Sequence, residues 1–223
     1  QSTSTKMEEY EMNKIEVYKF VKVKQLVYQL IKLYRTNDMN SNKTQKDLLL
    51  NEINDIFKEK EIDISDFITS IDDVKLTKKK AEHLLNELKV YIQDFEIPSS
   101  SQLEKIFRKV KKLKTPDINL IDTKEISYLG WNDNSSNRKY IVYKNLDDKF
   151  EGIYGEISPN KVKGFCKICN QESDISLFLN KTKHNKSDGT YTKKGDYICY
   201  DSFKCNQNLD DINNLYEFIV KTK

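Results

Sequence analysis

At 223 residues, with 33% charged and 37% hydrophobic side chains, the chain has apolar material for one or two cores and lies below the usual globular share without reaching the disordered regime. A net charge of +3 is too small for a protein that holds nucleic acid mainly by neutralising phosphates. No run approaches the roughly eighteen apolar residues that cross a bilayer and no secretory signal pattern is present, so the expectation is a cytoplasmic protein of two domains with no membrane partner.

Residues 1–11 have no sustained apolar period and precede Met12-Asn13-Lys14, which reads as a natural start; they are expected to be an expression remnant or a disordered leader. Val23, Leu26, Val27, Leu30, Ile31 and Tyr34 then repeat at helical spacing and predict an amphipathic helix from about Asn13 to just before Asn37. Asn40 to Lys43 reads as a connector. Leu49, Ile53, Ile56 and Phe57 predict a second helix, and Ile64, Phe67, Ile68 and Ile71 a short third. A long fourth, capped by Thr77, is predicted from Ala81, Leu84, Leu85, Leu88, Tyr91, Ile92 and Phe95. Pro98 breaks the pattern, Ser99 to Ser101 offers a cap, and Leu103, Ile106, Phe107, Val110 and Leu113 predict a fifth helix ending at Thr115-Pro116. Residues 12–115 are therefore expected to form a helical bundle.

Beyond Pro116 the period changes. β-Branched and aromatic runs at 126–129, 140–143 and 153–157, separated by turn-forming segments, predict strands, and 175–179 predicts another. Asn180 to Gly189 reads as a polar loop. Leu209, Ile212, Leu215, Tyr216 and Ile219 predict a closing helix, so that 116–223 is an α/β domain and the whole chain α+β.

All four cysteines lie in the last sixty residues, as Cys166-x2-Cys169 and Cys199-x5-Cys205. A two-residue spacer lets both thiolates of a knuckle reach one ion, and the 29 residues before Cys199 suffice for a strand, a loop and a returning strand. The reading is one structural Zn²⁺ bound by Cys166, Cys169, Cys199 and Cys205. Two disulfides or a redox dithiol are the competing readings; neither suits a lysine-rich chain lacking a secretory segment and a βαβ pattern beside the C-x-x-C. Four thiolates leave no open position for a catalytic water.

None of the common phosphate-loop, dinucleotide, nucleophile-elbow or H-E-x-x-H motifs is present, so no enzyme and no small-molecule substrate are expected. His83 in a lysine-rich helix and His184 in a polar loop read as solvated residues. In the closing helix Phe218 projects about 120° from the stripe centred on Ile212, Tyr216 and Ile219, and is expected to be partly exposed. Tyr197 must oppose Ile198 across the strand and look outward, beside Lys193 and Lys194. Such aromatics with lysines suit a protein-binding patch. The segment 105–114 carries six basic residues and no acid, and supports an alternative: a ribosome- or RNA-binding zinc protein that uses this helix.

The strings Gly130-Trp131-Asn132, Ser136-Asn137-Arg138-Lys139-Tyr140-Ile141, Tyr154-Gly155-Glu156-Ile157-Ser158, Lys163-Gly164-Phe165-Cys166-x2-Cys169 and Lys193-Lys194-Gly195-Asp196-Tyr197-Ile198-Cys199 resemble the FusB-type fusidic acid resistance proteins, over nearly the whole chain from Met12. The resemblance implies a bacterial, cytosolic, non-enzymatic protein that binds elongation factor G through that factor's C-terminal domains, and a monomer is expected. It implies release of the factor from drug-stalled ribosomes, which are engaged only indirectly. It also implies a helical N-terminal bundle followed by an α/β domain with a treble-clef-like four-cysteine finger, and factor contacts at Phe165, Lys194, Tyr197 and Phe218.

Overall fold

The computed structural model describes residues 13–36, 39–183 and 191–223, and divides the chain into two compact units at Asp94/Phe95. None of the helices among the described residues is long and apolar enough to cross a membrane.

The first unit is helical: α1 Val17–Tyr34, α2 Met39–Lys58, α3 Ser65–Ile71 and α4 Lys78–Glu87. The stripe predicted for α1 is its buried face, with Val23, Val27 and Leu30 fully enclosed against Ile53 and Phe57 of α2 and Ala81 of α4. Helix α2 begins at Met39, so the expected connector at Asn40 to Lys43 is helical backbone instead. Asn and Ser are weak helix formers, but the downstream apolar stripe docks the helix and carries its first turn with it.

Thr77 caps α4 as predicted, its side chain accepting from the Lys80 amide. The helix is shorter than its sequence pattern, however. It tightens into a 3₁₀ turn at Leu88–Tyr91 and then extends, because Ile92 pairs in parallel with Ile15. Ile15 N donates to Tyr91 O at 2.8 Å and Gln93 N to Ile15 O at 2.9 Å, and both isoleucines are fully buried. This small ladder fastens the segment entering α1 to the segment leaving α4, and it pairs the backbone of both strands where Ile15 and Ile92 enter the core.

The second unit opens with α5, Ser100–Ile106, started by a capping box between Ser99 and Gln102. The predicted continuation to Lys114 does not form: Phe107 leaves helical geometry, and 107–114 runs as turns with Lys112 at positive φ. The reason is aromatic packing. Phe107 is caged edge-on by Trp131, Tyr140 and Tyr154, with centroids 5.2 to 5.9 Å away, and Trp131 Nε1 donates to Lys114 O at 2.8 Å. Both anchors pull the chain onto the sheet and out of a helix. The segment predicted as the end of the bundle thus belongs to the unit that follows it, and the division falls at Asp94/Phe95 instead of after residue 115.

The sheet is antiparallel: β1 Leu129–Asp133, β2 Arg138–Lys144, β3 Phe150–Ile157, β4 Val162–Phe165, β5 Glu172–Lys183 and β6 Tyr191–Cys199. The order is β1-β2-β3-β5-β4, with β6 also on β5. The expected strand at 126–129 starts only at Leu129, because Ser127 and Tyr128 give their amides to a side chain, that of Asn206. The expected polar loop begins later than Asn180, since β5 runs on to Lys183. Two helices close the unit: α6 Ser202–Asn208, which periodicity missed, and α7 Ile212–Thr222.

Candidate metal centre

The metal site begins at the end of β4. Cys166 N donates to Gln171 O (3.0 Å) and Asn170 N to Cys166 O (2.9 Å), which folds 166–170 into a knuckle that turns through Asn170 at φ 54°. Asparagine tolerates this left-handed geometry better than most side chains. Strand β6 delivers Cys199, and Asp201 caps α6 by accepting from the Phe203 and Lys204 amides, which sets Cys205 on the first turn.

The four sulfurs come together from these three places. All are buried and lie within 4.8 Å of one another; Cys166 Sγ is 3.7 Å from Cys205 Sγ, and Cys169 Sγ 3.8 Å from Cys199 Sγ. Around Zn²⁺, bonds of about 2.3 Å in a tetrahedron separate sulfurs by about 3.8 Å, so the donor set fits the ion in both chemistry and spacing. The cysteines are free, which sets aside the disulfide reading. Cys166 Sγ also accepts from the Ile168 and Cys199 amides at 3.3 and 3.2 Å, the usual way a thiolate is steadied. Hydrogen bonding from the other three thiols holds the Cys166 thiol far below its ordinary range, whereas burial and the neighbouring sulfurs push Cys205 well above it. Without a cation, four thiolates at this separation repel; a structural zinc resolves the conflict.

The surroundings are built as firmly as the ligands. Asn206 is buried one residue after Cys205: Oδ1 accepts from Ser127 N (2.7 Å) and Tyr128 N (3.2 Å), and Nδ2 donates to Tyr128 O and Ser202 O, both at 3.0 Å. Asn206→Ala should strand the half-buried Ser127 and buried Tyr128 amides and lower stability by about 2 kcal/mol with zinc bound, checked by urea unfolding of the zinc-loaded protein. Lys139 of β2 is completely enclosed, and burial pushes its pKa down to about 8 against the pull of Cys205, Cys199 and Asp201. Neither residue was singled out in the sequence. The signal available was a lysine directly before the apolar run Tyr140 to Tyr143, and Asp201 standing at a helix start.

The four residues expected as a docking patch divide. Phe165, at the end of β4 beside the knuckle, is 69% exposed, and Tyr197 is 45% exposed on the face opposite fully buried Ile198, as expected. Lys167 N donates to Tyr197 O (3.0 Å) and ties the loop carrying Phe165 to the strand carrying Tyr197. Lys194 is also exposed, but three residues from Tyr197 it lies on the other side of the β6 pleat. Phe218 is a correction: it is 3% exposed, its ring 5.6 Å from that of Phe178. The buried set of α7 is Leu215, Phe218, Ile219 and Thr222, a helical stripe centred to one side of the predicted one, and it was missed because Thr222 does not read as apolar. His83 is exposed on α4 against Glu87 at 3.3 Å, a solvated residue; His184 lies outside the described residues.

A zinc knuckle, a hairpin and a helix whose first turn completes the ligand set define a treble-clef finger, here following a separate helical unit. The chain belongs to the elongation factor G-binding protein family: the model described as "Elongation factor G-binding protein, N-terminal" matches residues 14–96, and "FBP C-terminal treble-clef zinc-finger" matches residues 101–217. Among solved structures it is similar to the fusidic acid resistance protein FusC, at 97% identity over 95% of this chain and 99% of that one, with a TM-score of 0.92. A search of curated proteins gave no match.

Proposed function

We propose that this protein confers fusidic acid resistance by binding elongation factor G and promoting its departure from drug-stalled ribosomes, leaving the drug chemically untouched. Family membership and the likeness to FusC support the partner and the resistance. The observation that carries the mechanism is the pairing of exposed Phe165 and Tyr197 on backbone that the zinc knuckle and β6 hold rigid. Exposed aromatics on a preorganised scaffold lose little entropy on docking and are the side chains most often dominant in interfaces.

In this reading the protein acts as a cytoplasmic monomer, without catalysis, and touches the C-terminal domains of the factor with Phe165, Tyr197 and Lys194. Phe218 contributes from beneath. Release follows from differential affinity: the bound protein favours a factor conformation that grips the ribosome less tightly, since equal affinity for both states shifts nothing.

Isothermal titration calorimetry with purified elongation factor G tests this. Phe165→Ala and Tyr197→Ala should each weaken binding by about 1–3 kcal/mol with zinc content and unfolding midpoint unchanged. Wild-type affinity in both variants would rule out the aromatic patch. The alternative, RNA contact through 105–114, predicts a steep fall in affinity between low and moderate salt, whereas the aromatic interface predicts a shallow one.

A further inference from the structure

Lys139 is completely enclosed, and an enclosed ammonium is costly unless an anion accompanies it. Its Nζ donates to two neutral oxygens, Tyr200 O at 2.8 Å and Asn132 Oδ1 at 3.1 Å. The nearby acid, Asp201, is exposed and uses its carboxylate to cap α6. The carbonyl that Lys139 grips belongs to the residue next to a ligand: Tyr200 directly follows Cys199, and Asn132 Nδ2 shares the same oxygen at 2.9 Å. Four thiolates around a divalent ion leave two negative charges in excess.

A second side chain points to the same need. Tyr128 is fully buried, its hydroxyl has no hydrogen-bond partner, and its backbone is held by Asn206, the residue after Cys205. Cys166 already takes two backbone amides, so Tyr128 supplies a donor on the Cys205 side of the cluster. We propose that Lys139 is the counter-charge of the tetrathiolate zinc centre, that Tyr128 donates its hydroxyl hydrogen to Cys205, and that this pair sets how firmly the ion is retained. The proposal concerns the metal and stands whether or not the docking patch is assigned correctly.

The test is zinc release from the loaded full-length protein into excess 4-(2-pyridylazo)resorcinol, followed by absorbance. Lys139→Met, close in volume and uncharged, should release zinc about 10- to 100-fold faster, and Tyr128→Phe several-fold faster. Asn132→Ala removes one acceptor of the ammonium and the other donor to Tyr200 O but no charge, and should accelerate release clearly less than Lys139→Met. Equal acceleration by Asn132→Ala and Lys139→Met would overturn the counter-charge role, as would a wild-type rate in Lys139→Met. Cobalt substitution gives a readout that mere packing does not move: the sulfur-to-cobalt absorption band should shift to longer wavelength in Lys139→Met. Tyr128→Phe differs by one oxygen and keeps the test open if Lys139→Met does not fold; an unchanged release rate and cobalt band there would sink the pair.

Discussion

Replacing Cys166 by serine is expected to empty the metal site and unfold the second unit. Two losses coincide at this residue, a ligand and the sulfur that receives the Ile168 and Cys199 amides. Structural zinc contributes about 10–16 kcal/mol of apparent binding free energy, which matches or exceeds the whole stability of an ordinary domain. The remaining core does not compensate, because the cysteines are themselves part of it, packed with Ile168, Phe178 and Ile198. The readout is clean: Trp131 is the chain's one tryptophan and sits in the second unit, stacked on Tyr140 at 5.0 Å. Cys166→Ser, or wild type stripped by a chelator, should lose the native Trp131 emission while much of the far-UV helical signal persists, since the first unit has a cysteine-free core of its own. A metal-free protein with native emission and a cooperative transition would show that zinc is not needed for the fold.

Phe218→Ala is expected to cost about 3–5 kcal/mol of stability, as deletion of a buried ring usually does. Phe218 packs against Phe178 under the β5/β6 hairpin, and the same helix is stapled to that hairpin by Asn180 Nδ2 to Thr222 O (3.0 Å) and Lys221 to Asp196 (2.6 Å). Truncating the ring removes the prop beneath the strand that presents Lys194 and Tyr197. Affinity for elongation factor G should then fall together with the urea midpoint, whereas Tyr197→Ala should lower affinity alone. Phe218→Leu, which refills most of the volume, should recover both. An alanine variant of wild-type stability but weak binding would show instead that Phe218 reaches the partner directly.

What was legible in the sequence follows from the range of the forces involved. The α1 stripe and the Thr77 cap are local and were read correctly. The cysteine spacing carries its chemistry with it, and the four residues converge as expected. Errors arose where distant groups override local preference. Phe107 leaves an apparently continuous helix for aromatic partners that enter from three strands, and Ile92 leaves another to pair with Ile15. Helix α6 has too few apolar residues to show a period; its existence rests on the Asp201 cap and on Asn206 gripping Ser127 and Tyr128 far upstream. Glycine is informative at Gly195, where a Cβ would collide with the Phe178 carbonyl oxygen, so the hairpin crossing just before Tyr197 admits no larger residue.

The Ile15–Ile92 ladder gives the helical unit a mechanical character. Tension applied through the polypeptide, to the segment before Ile15 and the segment after Ile92, meets two parallel backbone bonds loaded along the strands. Such bonds are sheared side by side and not peeled one after the other, so the ladder is placed to act as a clasp that carries the pull across the bundle in parallel with its helices.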